Sequence, residues 1–511
     1  MPVLRVVLIK PSKYGLDGAV ERFRRGFMPN ATLPHIASMT PPEVQGHRVE
    51  LHVIDEYVEC DLAYLRLLER DPDCTTLLAL VGVQTHQFHR ALDLAAYARA
   101  HGVAHAVIGG PHPMTLDTTM LQGRGVSFAL AEAEIIWLQI LADAVAGELR
   151  PVYGDADAPW QEVLDPPALV PPRRRDLRRY VVPMLGVYPA RGCPYRCNFC
   201  SVIQIAGRRV RSQPVETTMA TLRAAQAAGV VLVMFTTDNF NKYPEAETLL
   251  QAIIDERLNL GFFVQCDTQV VRQPRLVELL GRAGCYQMFV GVESFKRETL
   301  LAAKKNQNHP ERYRELVEMC RARGIGVHFS NIIGFPTDTE QEILEHLRIL
   351  RELRPDLVSF YILTPSGEQY EEFLDNDLIT EFNSDRYDAS CATFRHPHLS
   401  NERLVELLFQ CYSEFYADIP LPSPDQLAKM ARWPERDGLH SLAKISTERF
   451  AVFSKLAVAA RRHPMAGGVF EARADHVSDY IDLRRRLYGF ELVPPPRMLR
   501  PTVHLHQNVG T

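Results

Sequence analysis

The 511-residue sequence has no apolar run near the ~18 residues that a membrane-crossing helix needs. Its opening, MPVLRVVLIKPSKYG, lacks the long apolar core and small-residue site of a cleaved leader, and is expected to form a first β-strand. A cytoplasmic location is therefore expected. An excess of one charge is also lacking. The 57 Lys and Arg stand against 62 Asp and Glu, a net charge of -5, so no bulk attraction to nucleic acid is expected. The sequence shows no internal repeat and no low-complexity tract. At 46% hydrophobic and 23% charged residues it reads as a globular protein, long enough for about two to four domains. Disulfide frameworks belong to short secreted chains, so the ten cysteines are read as thiols. Seven of them, Cys60, Cys74, Cys266, Cys285, Cys320, Cys391 and Cys411, are scattered and expected to be reduced.

What is present is alternation. The apolar runs RVVLIKP, VELHVIDE, TLLALVGVQ and HAVIGGPHP are strand-like, and HRALDLAAYARAHG between the last two has helical spacing ending at Gly102. This predicts a doubly wound parallel sheet over residues 1–150. Ligands of such sheets lie beyond the carboxyl ends of the strands, here at Thr85, His86, Gly109, Gly110, Pro111 and His112. Residues 151–182, rich in Pro and Arg, have the composition of a linker laid over a surface. A second series follows over 183–384. VPMLGVYPA, VVLVMFTT, FFVQCDT, QMFVGVES, VHFSNIIGFP and LVSFYILTP are expected strands, separated by helical patterns. Six strand–helix units predict a partial barrel of (β/α)6 type. Residues 385–511 are expected to be mainly helical.

Three cysteines remain, within Arg191-Gly-Cys193-Pro-Tyr-Arg-Cys197-Asn-Phe-Cys200. Soft thiolates select iron–sulfur centres or zinc. Structural zinc would want a fourth ligand nearby, yet the next Cys is Cys266 and the next His is His309. Three ligands on a four-iron cluster leave one iron open.

This segment resembles the radical S-adenosylmethionine superfamily, whose signature is CxxxCxxC after the first barrel strand. The resemblance implies a [4Fe–4S] cluster on Cys193, Cys197 and Cys200 that binds S-adenosylmethionine at the open iron and releases a 5′-deoxyadenosyl radical. It implies an aromatic contact to adenine from Phe199, and contacts to the ribose and amino acid portion from Glu293 and Ser294 in the "GxES" element. It also implies close backbone approach at Gly334 in IIGFP. Where the family has Gly-Gly-Glu, this chain has Thr236-Thr237-Asp238-Asn239, so Asp238 or Asn239 is expected to hold the cofactor's amino group.

VGVQTHQF, VIGGPHP and FALAEAE resemble the cobalamin-binding domain of class B members of that superfamily. Ala131-Glu132-Ala133-Glu134 lacks the glycines of the family's GEGE run, and PSKYGLDGAVERF lacks the His that ligates cobalt in some mutases. The resemblance implies methylation of an unactivated carbon or phosphorus of a small-molecule or lipid substrate, with an electron donor such as flavodoxin or ferredoxin. Oxidative cyclisation or rearrangement, with or without cobalamin, and a simple iron–sulfur electron carrier stay open as alternatives. At the end of the chain, residues 441–511 hold eleven Lys and Arg against six Asp and Glu. There ERFAVFSKLAVAARR reads as an amphipathic helix that either caps the barrel mouth or touches a membrane surface. His504 and His506 form an HxH pair with no further ligand nearby, and are read as tail residues.

Overall fold

The computed structural model describes all residues except 60, 163, 165, 424, 427–438, 460–468, 471–476 and 501–511. Cys60, His504 and His506 lie outside the described residues.

The β-branched and leucine-rich runs of the first 150 residues form parallel strands, the central ones buried on both faces. Val3–Lys10 pairs with His47–Asp55 on one side and with Cys74–Leu80 on the other. His105–Gly109, Ser127–Ala129 and Val152–Tyr153 follow outward from Cys74–Leu80. The chain thus reverses direction across the sheet between Val3–Lys10 and Cys74–Leu80, and the loops leaving those strands open a crevice. One edge carries a short antiparallel strand, Glu43–Val44, turned tightly through Gln45 and Gly46, both at positive φ. Helices Thr32–Met39 and Ala133–Ala146 pack on one face; Phe88–Ala100 covers the other.

All six barrel strands form, as Met184–Val187, Leu232–Phe235, Gly261–Cys266, Cys285–Glu293, Gly326–Ile333 and Leu357–Ile362. They are parallel and lie side by side in chain order. Outward residues such as Val233, Val264, Val290 and Phe329 bury under the helices. The inner face is partly polar: His328 bonds Gln287 at 2.9 Å and Ser359 at 2.7 Å. The barrel stops at six because its last edge is occupied. Tyr412 Oη accepts from Phe360 N and donates to Phe360 O, at 3.0 and 3.1 Å. Tyr416 Oη does the same with Val358, at 3.0 and 2.7 Å. Two side chains, one from the helix Asn401–Phe415 and one from its C-cap Tyr416, therefore stand where a seventh strand would pair.

Two expectations change. The stretch after residue 150 is built into the fold instead of lying over it: Val152–Tyr153 is an edge strand, Leu164 and Leu169 are buried, and Trp160 Nε1 donates to Ile205 O at 2.7 Å. The amphipathic helix also serves a different end. Within Leu439–Ala459, Phe450 meets His328 and Phe27 edge-on, while Phe453 packs with Val182, Met184, Leu232 and Tyr286. Those partners sit at the amino ends of the strands, so the helix closes the barrel floor, not its mouth. From Phe450 to Val458 its apolar residues pack on protein. No helix among the described residues is long and apolar enough to cross one. The C-terminal region is helical in its longer elements, with one short strand, Val469–Phe470, paired to Phe23–Arg25. Its last helix, Val477–Tyr488, returns to the first sheet, where Arg484 faces Asp93 at 3.4 Å.

Candidate active site

The three clustered cysteines lie on a loop that starts from a two-residue antiparallel stem, Ala190–Arg191 against Arg211–Ser212. Gly192 has φ 103, and a Cβ there would stand 2.2 Å from Arg209 O. Only glycine passes. Asp238 Oδ2 accepts from Gly192 N at 2.7 Å, and Cys193 N donates to Gly207 O at 3.1 Å. From behind, the segment after the sixth strand holds the loop: Gln369 N donates to Asn198 O at 3.0 Å, and Ser366 Oγ to Phe199 O. Gly367 packs so close that a Cβ would lie 2.9 Å from Cys200 O. The three thiols are half-buried and unbridged. Burial pushes Cys193 up to about 11 and Cys200 up to about 12. Among the described residues no three His, Cys, Asp or Glu side chains converge as ligands of a single ion.

Glu293 ends its strand at φ 62, after a register shift. Its carboxylate accepts from Lys305 Nζ at 2.7 Å and from Ser330 Oγ at 2.9 Å, and its carbonyl accepts from Asn331 at 2.7 Å. Burial opposes the charge on Lys305, but Glu293 and the nearby Cys197 outweigh it and hold the ammonium above the usual lysine range. The same ammonium stands 5.8 Å over the ring of Phe199, which meets Phe335 edge-on at 5.7 Å. Glu293, Lys305, Phe199 and the cysteines thus form one constellation at the carboxyl end of the barrel.

Ser294 and Gly334 stand apart from it. Ser294 is wholly buried, its hydroxyl accepting from Lys296 N at 3.1 Å. Gly334, at φ 83, turns the chain so that its N–H and that of Phe335 reach Asp338, each at 3.0 Å. Burial pushes the Asp338 carboxyl up to about 7. Asp238 is committed to Gly192, whereas Asn239 pairs with Asp267 at 2.7 Å beside Cys193.

Facing the cysteine loop are the loops of the first sheet. Gly110 has φ 131, and a Cβ on it would lie 2.2 Å from Val83 N. His112 stacks on Phe88 with centroids 3.7 Å apart, and its Nδ1 is 3.4 Å from Thr85 Oγ1. Burial holds its imidazole neutral, down to about 3. Its Nε2 is buried without a hydrogen-bond partner, as are both ends of the Gln204 amide. A cavity of about 400 Å³ lies between the two parts of the chain. Thr85, His86, Pro111 and His112 line one side, and Ser201, Gln204 and Ile205 the other. A second cavity of about 250 Å³ runs along the sheet past Gly109, Gly110, Val107 and Trp137, and Pro111 and Ile205 border both.

The Glu132 and Glu134 of the degenerate run bridge the two parts. Glu132 takes a two-bond pair from Arg211 at 2.8 Å each, and Glu134 accepts from Arg191 and bonds His35, both at 2.7 Å. Both ends of the cysteine-loop stem are thereby locked to the first sheet.

Sequence reasoning missed Lys305, Asp267 and Gln204. None stands in a recognisable spacing; each matters through a partner distant in sequence or through the lack of one.

A (β/α)6 barrel with a three-thiol loop at its carboxyl end, facing a doubly wound sheet across a shared cavity, defines the class of protein. Residues 187–350 match the Radical SAM superfamily. Two curated relatives come from Chlorobaculum tepidum. The bacteriochlorophyllide d C-8(2)-methyltransferase is 26% identical over 392 residues, 73% of this chain and 81% of that protein. The C-12(1)-methyltransferase is 26% identical over 329 residues, 62% of this chain and 70% of that protein. The solved structure of the cobalamin-dependent S-adenosylmethionine radical enzyme OxsB, with aqua-cobalamin and S-adenosylmethionine bound, superposes with a TM-score of 0.60 at 15% identity. It covers 95% of this chain and 79% of that one. Residues 187–350 thus carry the match to the Radical SAM superfamily, and the chain as a whole shares its fold with solved cobalamin-dependent enzymes of that type.

Proposed function

We propose that the chain is a cobalamin-dependent radical S-adenosylmethionine methyltransferase acting on an unactivated carbon of a small-molecule or lipid substrate. The shared cavity carries this reading, because Ser201, Gln204 and Ile205, directly after the last clustered cysteine, and Pro111 and His112 of the first sheet's loop line the same space.

The residues suit the groups they would hold. Cys193, Cys197 and Cys200 supply three soft ligands and no fourth. Gly110 lets its loop cross tightly against Gly82 and Val83, which sets Pro111 and His112 on the cavity wall, and Gln204 and His112, both on that wall, carry unpaired buried polar atoms. The apolar slot beside Val107 and Trp137 suits an aromatic base such as that of the corrin's nucleotide tail. Bound there, the cluster supplies the electron that cleaves S-adenosylmethionine, and the corrin supplies the methyl group. The chain's own work is placement. Glu293 and Lys305 offer a paired carboxylate and ammonium for the amino acid portion, Phe199 a ring for adenine, and Asn239, braced by Asp267, a polar contact beside Cys193. Asp238, Ser294 and Gly334 shape the loops that carry these groups. His86 and Thr85 line the same cavity wall and would face a corrin held there.

The corresponding division of the chain is 1–150, 151–182, 183–384 and 385–511, with the first boundary moved past Val152–Tyr153 because that strand completes the first sheet. A one-electron donor such as flavodoxin or ferredoxin is needed for each cleavage. The nine described cysteines are all free thiols, which suits the reducing cytoplasm.

Incubating the anaerobically purified chain with hydroxocobalamin and removing the excess tests the reading. A retained corrin absorbance beside the iron–sulfur bands is expected. A chain showing iron–sulfur bands alone would remove the cobalamin half of the proposal.

A further inference from the structure

Gln204 sits in the short helix Val202–Ile205 that follows the last cluster cysteine, on the wall of the larger cavity. It is 1% exposed, and neither its amide nitrogen nor its amide oxygen has a hydrogen-bond partner among the described residues. A primary amide offers two donors and an acceptor with two lone pairs. Leaving both ends unpaired in a buried position is costly enough that packing alone does not account for the residue.

The position of Gln204 is tightly held. Arg500 Nη2 donates to Gln204 O at 2.6 Å and to Met114 O at 3.0 Å. One guanidinium therefore ties the helix after the cysteines to the segment Pro111–Thr115 that follows Gly110. Arg500 Nη1 adds a bond to Ala156 O at 2.7 Å, and its plane lies 5.0 Å over Trp160. Three stretches of chain thereby fix the Arg500 side chain.

We propose that Gln204 is a cofactor-positioning residue, whose amide pairs with one of the carboxamide side chains on the rim of the corrin ring. The inference rests on the cobalamin reading above. A corrin carries primary acetamide and propionamide groups around its edge. Two primary amides satisfy each other through paired N–H···O=C bonds, which occupies both ends of Gln204. A carboxylate would satisfy only the nitrogen, and an apolar ligand neither end. Gln204 lies four residues beyond Cys200, so the pair would fix how the ring is turned relative to the cluster loop.

The test uses the full chain, anaerobically reconstituted, and follows corrin absorbance in titrations. The ligands are hydroxocobalamin and the separate cobalamin monocarboxylic acids, each with one rim amide hydrolysed. Wild type is expected to bind hydroxocobalamin and to discriminate at least tenfold against one particular acid, while tolerating the others. Gln204→Leu should bind hydroxocobalamin at least tenfold more weakly with unchanged iron content. Gln204→Arg, which can grip a carboxylate with two bonds, should prefer that one acid. If wild type binds every acid as tightly as hydroxocobalamin, the inference fails without any variant being needed. It fails equally if Gln204→Leu loses affinity for S-adenosylmethionine but not for the corrin. If wild type binds no corrin at all, the cobalamin reading itself falls and takes this inference with it.

Discussion

At the scale of single residues, Glu293 shows how the site stores its arrangement. A non-glycine residue at φ 62 is strained, and the strain is held by three contacts: Lys305, Ser330 and Asn331. Replacing Lys305 by Met would leave a buried carboxylate without its cation, at a cost of about 3–5 kcal/mol. Urea unfolding of the full chain should show that loss, and 5′-deoxyadenosine formation should fall with it; unchanged unfolding would contradict the buried pair. Gly110→Ala brings a Cβ to 2.2 Å from Val83 N at a φ that L-residues avoid. It should cost more than about 1 kcal/mol and weaken corrin retention, read by the same absorbance. Cys193, Cys197, Cys200 and Glu293 were legible in the sequence because their spacing or strand-end position is itself the signal. Lys305 was not, because it acts through a carboxylate twelve residues away across a strand and a helix. Asp238 and Asn239 were legible as a pair but not in their roles, since only the fold shows that one holds Gly192 and the other Asp267.

At the scale of elements, hydrophobic periodicity revealed all six barrel strands and the main strands of the first sheet, because most are apolar runs buried on both faces and His47–Asp55, nearer the edge, still alternates Val, Leu and Ile with polar residues. Short pieces escaped it. Ser127–Ala129 and Val152–Tyr153 are strands only because a neighbour offers them a ladder. Tyr412 and Tyr416 read as ordinary members of an amphipathic helix, yet they terminate the barrel sheet by pairing with Phe360 and Val358. Phenylalanine at either position leaves backbone groups of the edge strand unpaired. Tyr412→Phe and Tyr416→Phe should each cost about 1–3 kcal/mol, measured by the shift of the urea midpoint. A loss below a few tenths of a kcal/mol would show that water replaces the phenol and that the edge needs no cap.

At the scale of the whole molecule, the sequence announced two bodies but not how they are fastened. The Glu132–Arg211 and Glu134–Arg191 pairs, with Arg484 facing Asp93 on the far side, do the fastening. The run Ala131–Glu134, which lacks the glycines of the GEGE element it resembles, supplies both carboxylates. Buried charge also sets the response to acid. Burial holds His112 and His328 neutral down to about 3 and His346 down to about 4. The unfolded chain protonates these imidazoles near their ordinary ~6.5. Each therefore favours unfolding by about 1.4 kcal/mol per pH unit as pH falls below that value. Asp338 and Asp93, raised by burial to about 7 and about 6, oppose this, because the folded chain takes their protons first. These five groups alone leave a loss of about 1.4 kcal/mol per pH unit between pH 6 and 4; burial also lowers His105 and His396, which add to it, and raises Asp55 and Asp238, which oppose it. His328→Gln, which can still bond Gln287 and Ser359, should flatten that slope in urea titrations across the range.

The central claim is that the cysteine loop generates radicals from S-adenosylmethionine. Its most direct test is anaerobic reconstitution with iron and sulfide, reduction with dithionite, addition of S-adenosylmethionine and quantification of 5′-deoxyadenosine. The account predicts 5′-deoxyadenosine from the wild-type chain and none from Cys200→Ala. A wild-type chain that assembles its cluster, binds S-adenosylmethionine and still yields no 5′-deoxyadenosine would contradict it.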